Sequence, residues 1–134
     1  MRLLNEICQF IRIKNIIMCV IHQLLIKKFL NNDNDNDNDN DKFINMLYCV
    51  TCHFFAGIHV FIMNDWFDIE TDKINNRNRF LVKYYKEKNV LFYVNLFTIF
   101  CCIFTLIFGY LSSNIIFLTS IYGVITPFLY NFVQ

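Results

Sequence analysis

The chain has 134 residues, of which 56% are hydrophobic and 18% aromatic, and its formal net charge at pH 7 is +1. This composition is too apolar for an ordinary soluble domain. The basic residues form no stripe interleaved with base-stacking aromatics, so no nucleic-acid partner is expected. Six cysteines lie mostly inside apolar runs, where free cysteine behaves as a small hydrophobe, and no disulfide framework is predicted.

Apolar stretches of membrane-spanning length predict an all-α membrane protein with about four transmembrane helices. The predicted spans are residues 13–30, 43–63, 90–111 and 115–133. The last three are uncharged stretches of 21, 22 and 19 residues, close to the roughly 20 residues that cross a bilayer. The first contains a shorter uncharged run, which reaches spanning length if Lys27 and Lys28 extend to the interface.

Two hydrophilic segments connect the first three predicted spans. Residues 31–41 alternate Asn and Asp, cannot bury apolar surface, and are predicted to form a disordered loop. Residues 64–89 form a longer connection. Residues 1–14 and 64–89 together carry nine Lys or Arg, against three in residues 27–42. The positive-inside rule therefore predicts that both termini and the connection 64–89 are cytoplasmic.

Three acidic residues of this connection fall on one face of a helix. At roughly 100° per residue, Asp65, Asp68 and Asp72 lie within an arc of about 60°, with Asn64 at its edge and Glu70 pointing away. Carboxylates this close repel each other unless a cation lies among them. Because Mg²⁺ takes one or two carboxylates together with substrate phosphates, the face predicts a metal-bridged phosphate or diphosphate. On spacing alone, the alternative is a solvated loop whose acids pair with nearby basic residues.

The residue types in this segment also follow a known pattern. The matching positions are Asn64, Asp65, Asp68, Asp72, Asn75 and Arg79. They resemble the first aspartate-rich motif of the UbiA superfamily of intramembrane prenyltransferases, N-D-x-x-D-x-x-x-D-x-x-N-x-P-x-R-P, which in that family also follows the second transmembrane helix. The Asn after the third Asp resembles the branch that makes archaeal-type ether lipids, with geranylgeranylglyceryl phosphate as acceptor, and chlorophyll.

The resemblance implies a role for each of these positions. In the family, the motif binds Mg²⁺, which holds the diphosphate of a polyprenyl donor while the prenyl group passes to a lipid or aromatic acceptor. By this resemblance, Asp68 and Asp72 are the expected catalytic residues and, with Asp65, the expected Mg²⁺ ligands. The expected diphosphate contacts are Asn64, Asp65, Arg79 and Lys73, with Lys83 a further candidate that, like Lys73, has no strict counterpart in the motif. For Arg79 the alternative is snorkelling or pairing with Glu70.

The sequence departs from the family in two ways. Arg77 and Phe80 replace both prolines of the motif, which predicts a looser turn after the acidic helix. The family has about nine transmembrane helices and a second aspartate-rich motif, whereas the only acid beyond Asp72 here is Glu87. The chain therefore resembles the N-terminal half of such a bundle, whose site a second chain or a second copy would complete. The alternatives are a non-catalytic membrane remnant or subunit, and a generic four-helix membrane protein with a coincidental acidic loop.

Overall fold

The computed structural model describes residues 6–7, 10–30, 39–77 and 79–132. Within these ranges the regular secondary structure is entirely helical and contains no strand, so the predicted all-α class is confirmed. The helices are α1 (Ile13–Leu30), α2 (Asp39–Phe67), α3 (Ile69–Ile74), α4 (Phe80–Tyr84), α5 (Lys88–Ser112) and α6 (Asn114–Phe132).

Helix α2 is the element on which the other long helices pack. It contacts α1, α5 and α6, and α5 and α6 also contact each other as an antiparallel hairpin. Its 29 residues extend over about 43 Å at 1.5 Å per residue, which exceeds the roughly 30 Å of a bilayer's hydrocarbon core. Helix α2 therefore carries the first residues of the acidic motif beyond its own apolar stretch.

The observed helix bounds differ from the predicted ones mainly at α2. The loop predicted for residues 31–41 overlaps this helix, which begins at Asp39, while residues 31–38 lie outside the described residues. The loop prediction was wrong for residues 39–41, where an acidic sequence favours the positive N-terminal end of a helix. At its other end α2 continues to Phe67, so the acidic motif begins within a helix.

Among the described residues, two helices are long and apolar enough to cross a membrane, Lys42–Phe67 within α2 and Lys88–Ser112, which is α5. Helix α6 contains a shorter apolar helix, Asn114–Leu129. Helix α1 has the predicted bounds but includes three lysines among its 18 residues. The long apolar helices also expose large side chains, including Phe92, Leu96, Ile99 and Ile103 of α5. An outer surface of this kind is suited to contact with lipid.

The α5–α6 hairpin packs closely around Gly109. A Cβ atom at this position would lie 2.6 Å from Ser120 Oγ and 3.4 Å from Phe117 Cα. One turn earlier in α5, the carbonyl of Thr105 accepts a hydrogen bond from Cys52 of α2 at 3.3 Å. Small residues at such contacts allow helix backbones to approach closely, as they do in membrane bundles.

The buried core lies at the end of α2 that carries the acidic motif. Ile58 and Ile62 of α2 are buried together with Leu81 of α4 and Phe10, which precedes α1. The rings of Phe10 and Phe80 stack with their centroids 4.8 Å apart. This packing holds the segment before α1 and the helix α4 next to the end of α2, and it therefore brings their basic residues to the acids.

Candidate functional site

The three predicted aspartates lie along an almost continuous helix. Helix α2 ends at Phe67 and α3 begins at Ile69, with Asp68 between them in a helical conformation (φ −80°, ψ 0°). The Asp68 N–H donates to the Asn64 carbonyl at 3.0 Å, and the Asp72 N–H donates to the Asp68 carbonyl at 2.8 Å. Because helical hydrogen bonding continues across the boundary, residues three and four apart stay on one face.

The guanidinium of Arg79 lies among all three aspartates. Its Nη1 is 2.7 Å from Asp65 Oδ1 and 3.7 Å from Asp68 Oδ2. Its Nε is 3.0 Å from Asp72 Oδ2. The structure therefore brings together four of the residues singled out from the sequence, and the alternative in which Arg79 pairs with Glu70 is wrong.

A second arginine, Arg12, reaches the same site from the segment before α1. Its Nη2 donates to Asp65 Oδ1 at 2.5 Å, and its guanidinium carbon lies 5.2 Å from the centroid of the Phe61 ring. The backbone of Arg12 has φ 53°, which is uncommon for a residue other than glycine. Sequence reasoning did not assign Arg12 to the site. The sequence shows an acidic face that needs positive charge nearby, but it does not show which basic residue supplies that charge.

Asp72 is the most deeply buried acid of the group, with 1% of its surface exposed. Its Oδ1 accepts a long hydrogen bond of 3.4 Å from Arg77, whose side chain is 58% exposed. Its buried Oδ2 has no hydrogen-bond partner among the described residues, because the nearby Arg79 Nε makes an ion pair without hydrogen-bond geometry. A buried carboxylate oxygen that lacks a donor is unfavourable, and the positive charge of Arg79, 3.0 Å away, offsets part of this cost.

Two charged residues of the connection lie away from the aspartates. Glu70, predicted to point away, has a side chain that is 82% exposed and pairs with Lys73 at 2.6 Å. The Lys73 ammonium also lies 3.5 Å from the centroid of the Tyr85 ring. Lys73 was expected to contact the same diphosphate as Arg79, but its contacts lie with Glu70 and Tyr85 instead. Asn64, the other predicted contact, is half-buried at the end of α2.

Asn76 makes the turn that follows the acidic helices. Its backbone has φ 52°, a left-handed conformation that Asn tolerates better than most residues. Its N–H donates to the Lys73 carbonyl at 3.1 Å, and the Arg77 N–H donates to the Asp72 carbonyl at 2.9 Å. These hydrogen bonds form the turn without the prolines of the motif, and a looser turn than in the resembled family stays a prediction.

A further set of contacts ties the N-terminal segment to α4. Lys83 donates to Glu6 Oε1 at 3.0 Å, and the Tyr84 hydroxyl donates to Glu6 Oε2 at 3.3 Å. The hydrogen bonds of Lys83 with Tyr84 and with Glu6 raise the pKa of its ammonium above the ordinary value of 10.5. These contacts, with Arg12 on Asp65, hold the N-terminal segment against the site.

The donor set permits a test of whether Mg²⁺ fits this site. No group of three or more His, Cys, Asp or Glu in the described ranges is arranged to hold a metal ion. Asp65 Oδ1 is already engaged by two arginines, whereas the Asp68 side chain is 51% exposed and Asp72 has the buried oxygen without a hydrogen bond. Mg²⁺ bound to phosphates needs only one or two carboxylates. Asp68 is therefore the most exposed carboxylate of the three, and Mg²⁺ at this site stays a prediction.

Comparisons with known proteins found no match to this chain. The sequence matches no family model, and neither a curated protein nor a solved structure matches it.

Proposed function

We propose that the chain is the N-terminal part of a Mg²⁺-dependent prenyltransferase of the UbiA type, which transfers a polyprenyl group from a prenyl diphosphate to a lipid or aromatic acceptor. The observation that carries this proposal is the convergence of Asp65, Asp68 and Asp72 on Arg79. These residues match the aspartate-rich motif in type and spacing, and the fold gathers them at the end of a helix of membrane-crossing length.

The proposed placement in the membrane is multi-pass. Helices α2 and α5 are of spanning length, and α1 and α6 would complete a set of four spans. By the positive-inside rule, the basic residues of the connection between α2 and α5 favour a cytoplasmic position for this connection and for both termini. In this arrangement the aspartates lie at the cytoplasmic surface, where a soluble diphosphate head and a membrane-dissolved prenyl tail meet.

In the proposed site, the acidic residues would bind Mg²⁺ and the basic residues would bind the diphosphate directly. Bound Mg²⁺ would neutralise charge that develops on the diphosphate as it leaves, with Asp68 and Asp72 as its ligands. Arg79 would donate to the diphosphate oxygens, for which its planar fork of donors is suited. Arg12 stays on Asp65 and keeps that carboxylate neutralised.

Half of the site described for the UbiA family has no counterpart here. The only acid after Asp72 in this sequence is Glu87, so residues 73–134 supply no counterpart of the second aspartate-rich motif. This supports a second candidate function, a non-catalytic membrane remnant or subunit. The observation in its favour is that arginines of the same chain pair with all three aspartates. Prenyl transfer by the purified chain alone would refute it.

The test is binding of a non-hydrolysable prenyl thiodiphosphate to the purified chain in detergent, with and without Mg²⁺. Substitutions Asp68→Asn and Asp72→Asn are each expected to weaken Mg²⁺-dependent binding by about tenfold or more, as for loss of one partner in a close charge pair. Glu70→Gln removes the same charge from an exposed position outside the acidic face, and it should leave binding unchanged. Equal affinity in all four proteins would show that the aspartates do not bind the diphosphate.

A further inference from the structure

A cationic cleft of about 380 Å³ opens on the connection between α2 and α5, beside the aspartates. It is lined by Lys73, Asn76, Arg77, Val82, Lys83 and Tyr85. Three of these six residues carry a positive charge, and no acidic residue is among them. Like charges gathered around one space repel each other, so the cleft is suited to an anion.

Each of the three cations has one acidic partner that lies outside the lining of the cleft. Lys73 pairs with Glu70, and Lys83 pairs with Glu6. Arg77 pairs with Asp72 at 3.4 Å. An ammonium group has three N–H donors and a guanidinium has five. Each cation therefore keeps donors for a further anion, and these partners do not fill the cleft.

The walls of the cleft are held in place by contacts that do not involve an anion. The Lys73 ammonium lies over the Tyr85 ring, and the left-handed turn at Asn76 is closed by its hydrogen bond to the Lys73 carbonyl. A phosphate group offers several acceptor oxygens and, as a monoester, nearly two negative charges. It matches three separate cations better than a carboxylate, which has two oxygens and one charge.

The position of the cleft favours a phosphate carried by a lipid. Its residues lie between the end of α2 and the start of α5, and both of these helices are of membrane-crossing length. Ile74, next to Lys73, is an apolar residue with 82% of its surface exposed. Tyr and Lys are typical of the membrane interface, and basic segments beside a membrane span attract anionic lipids.

We infer that this cleft binds the phosphate of an anionic membrane lipid, with Lys73, Arg77 and Lys83 as its cationic contacts. The inference goes beyond the proposed prenyl transfer and does not depend on it. The lining contains none of the three aspartates, and phosphate recognition here requires no Mg²⁺. The Lys73 side chain, which contacts Glu70 and Tyr85 rather than the aspartates, belongs to this second site.

The inference is tested by native mass spectrometry of the full chain in detergent micelles that contain phosphatidate or phosphatidylcholine. The test variant carries Lys73→Gln and Lys83→Gln. The matched control carries Lys86→Gln and Lys88→Gln, which remove the same charge from exposed lysines outside the lining. Thermal unfolding of each protein shows whether it is still folded. If the test variant is not folded, Lys73→Arg, which keeps the charge, is used in its place.

The wild type and the control should retain one phosphatidate and not phosphatidylcholine, whereas the test variant should bind phosphatidate about 30-fold more weakly, at about fivefold per cation. If Lys73→Arg is used instead, it should bind like the wild type, and loss of binding there would overturn the inference. Equal binding by test variant and wild type, or equal loss in the control, would also overturn it. A molar excess of inorganic phosphate should not displace the lipid, and displacement would show that the cleft takes free phosphate. Asp68→Asn should bind phosphatidate normally, which separates this result from the test of prenyl diphosphate binding.

Discussion

Removal of the central guanidinium, by Arg79→Gln, tests the arrangement of charges at the candidate site. In the folded protein this side chain lies within 4 Å of three carboxylates, two of which are almost fully buried. Without it, Asp65 and Asp72 lose a counter-charge while they remain inside the protein. We therefore expect a marked loss of stability, with no change in the helices themselves.

The size of the effect follows from the contacts that remain. Removing one partner of a buried ion pair destabilises a protein by about 3–5 kcal/mol. Asp65 keeps its 2.5 Å contact with Arg12, Asp72 keeps its 3.4 Å contact with Arg77, and Arg79 itself is 25% exposed. These facts place the expected loss at the lower end of the range, about 3 kcal/mol, or roughly 100-fold in the unfolding equilibrium constant.

The assay is unfolding in detergent followed by fluorescence of the single tryptophan, Trp66. This residue is next to Asp65 and packs against the core, so it reports on the site. Arg77→Gln is the matched control, because it removes the same group from a side chain that is 58% exposed and has one long contact. Its effect should not exceed about 1 kcal/mol.

The difference in stability between Arg79→Gln and Arg77→Gln tests whether Arg79 compensates the buried aspartates. If Arg79→Gln unfolds under the same conditions as Arg77→Gln, the guanidinium of Arg79 does not compensate the buried aspartates. Arg79→Lys gives a second check. It keeps the charge but lacks the fork that reaches several carboxylates at once, so its stability should lie between those of the wild type and Arg79→Gln.

Two further predictions concern the hairpin and the N-terminal segment. Gly109→Ala should destabilise the protein by about 1–3 kcal/mol through overpacking against Ser120, measured by thermal unfolding, whereas Gly123→Ala, where a Cβ would meet nothing within 4 Å, should not. Glu6→Gln should reduce stability, and because the folded-state pKa of Lys83 is raised, this reduction is fully present below pH 10.5 and disappears as the pH rises above that value. A difference between Glu6→Gln and the wild type that persists unchanged at higher pH would contradict the second prediction.

The sequence by itself determined the helical class and the common face of the aspartates. Both depend on local relationships, since apolar runs of spanning length predict helices and the helical period places residues three and four apart together. The outward position of Glu70 followed from the same period. Local patterns also misplaced the start of α2, because an Asn/Asp repeat is typical of a loop and of an acidic helix start alike.

Only the tertiary structure decided which cations meet these acids. Arg12 and Asp65 are separated by 53 residues, and their contact depends on how the core packs the N-terminal segment against α2. Packing between distant segments also buries Asp72, orients the Lys73 side chain toward Tyr85 and forms the cationic cleft. Helical periodicity relates neighbours along one helix, whereas ion pairs between distant segments depend on the packing of the whole bundle, which no local pattern contains.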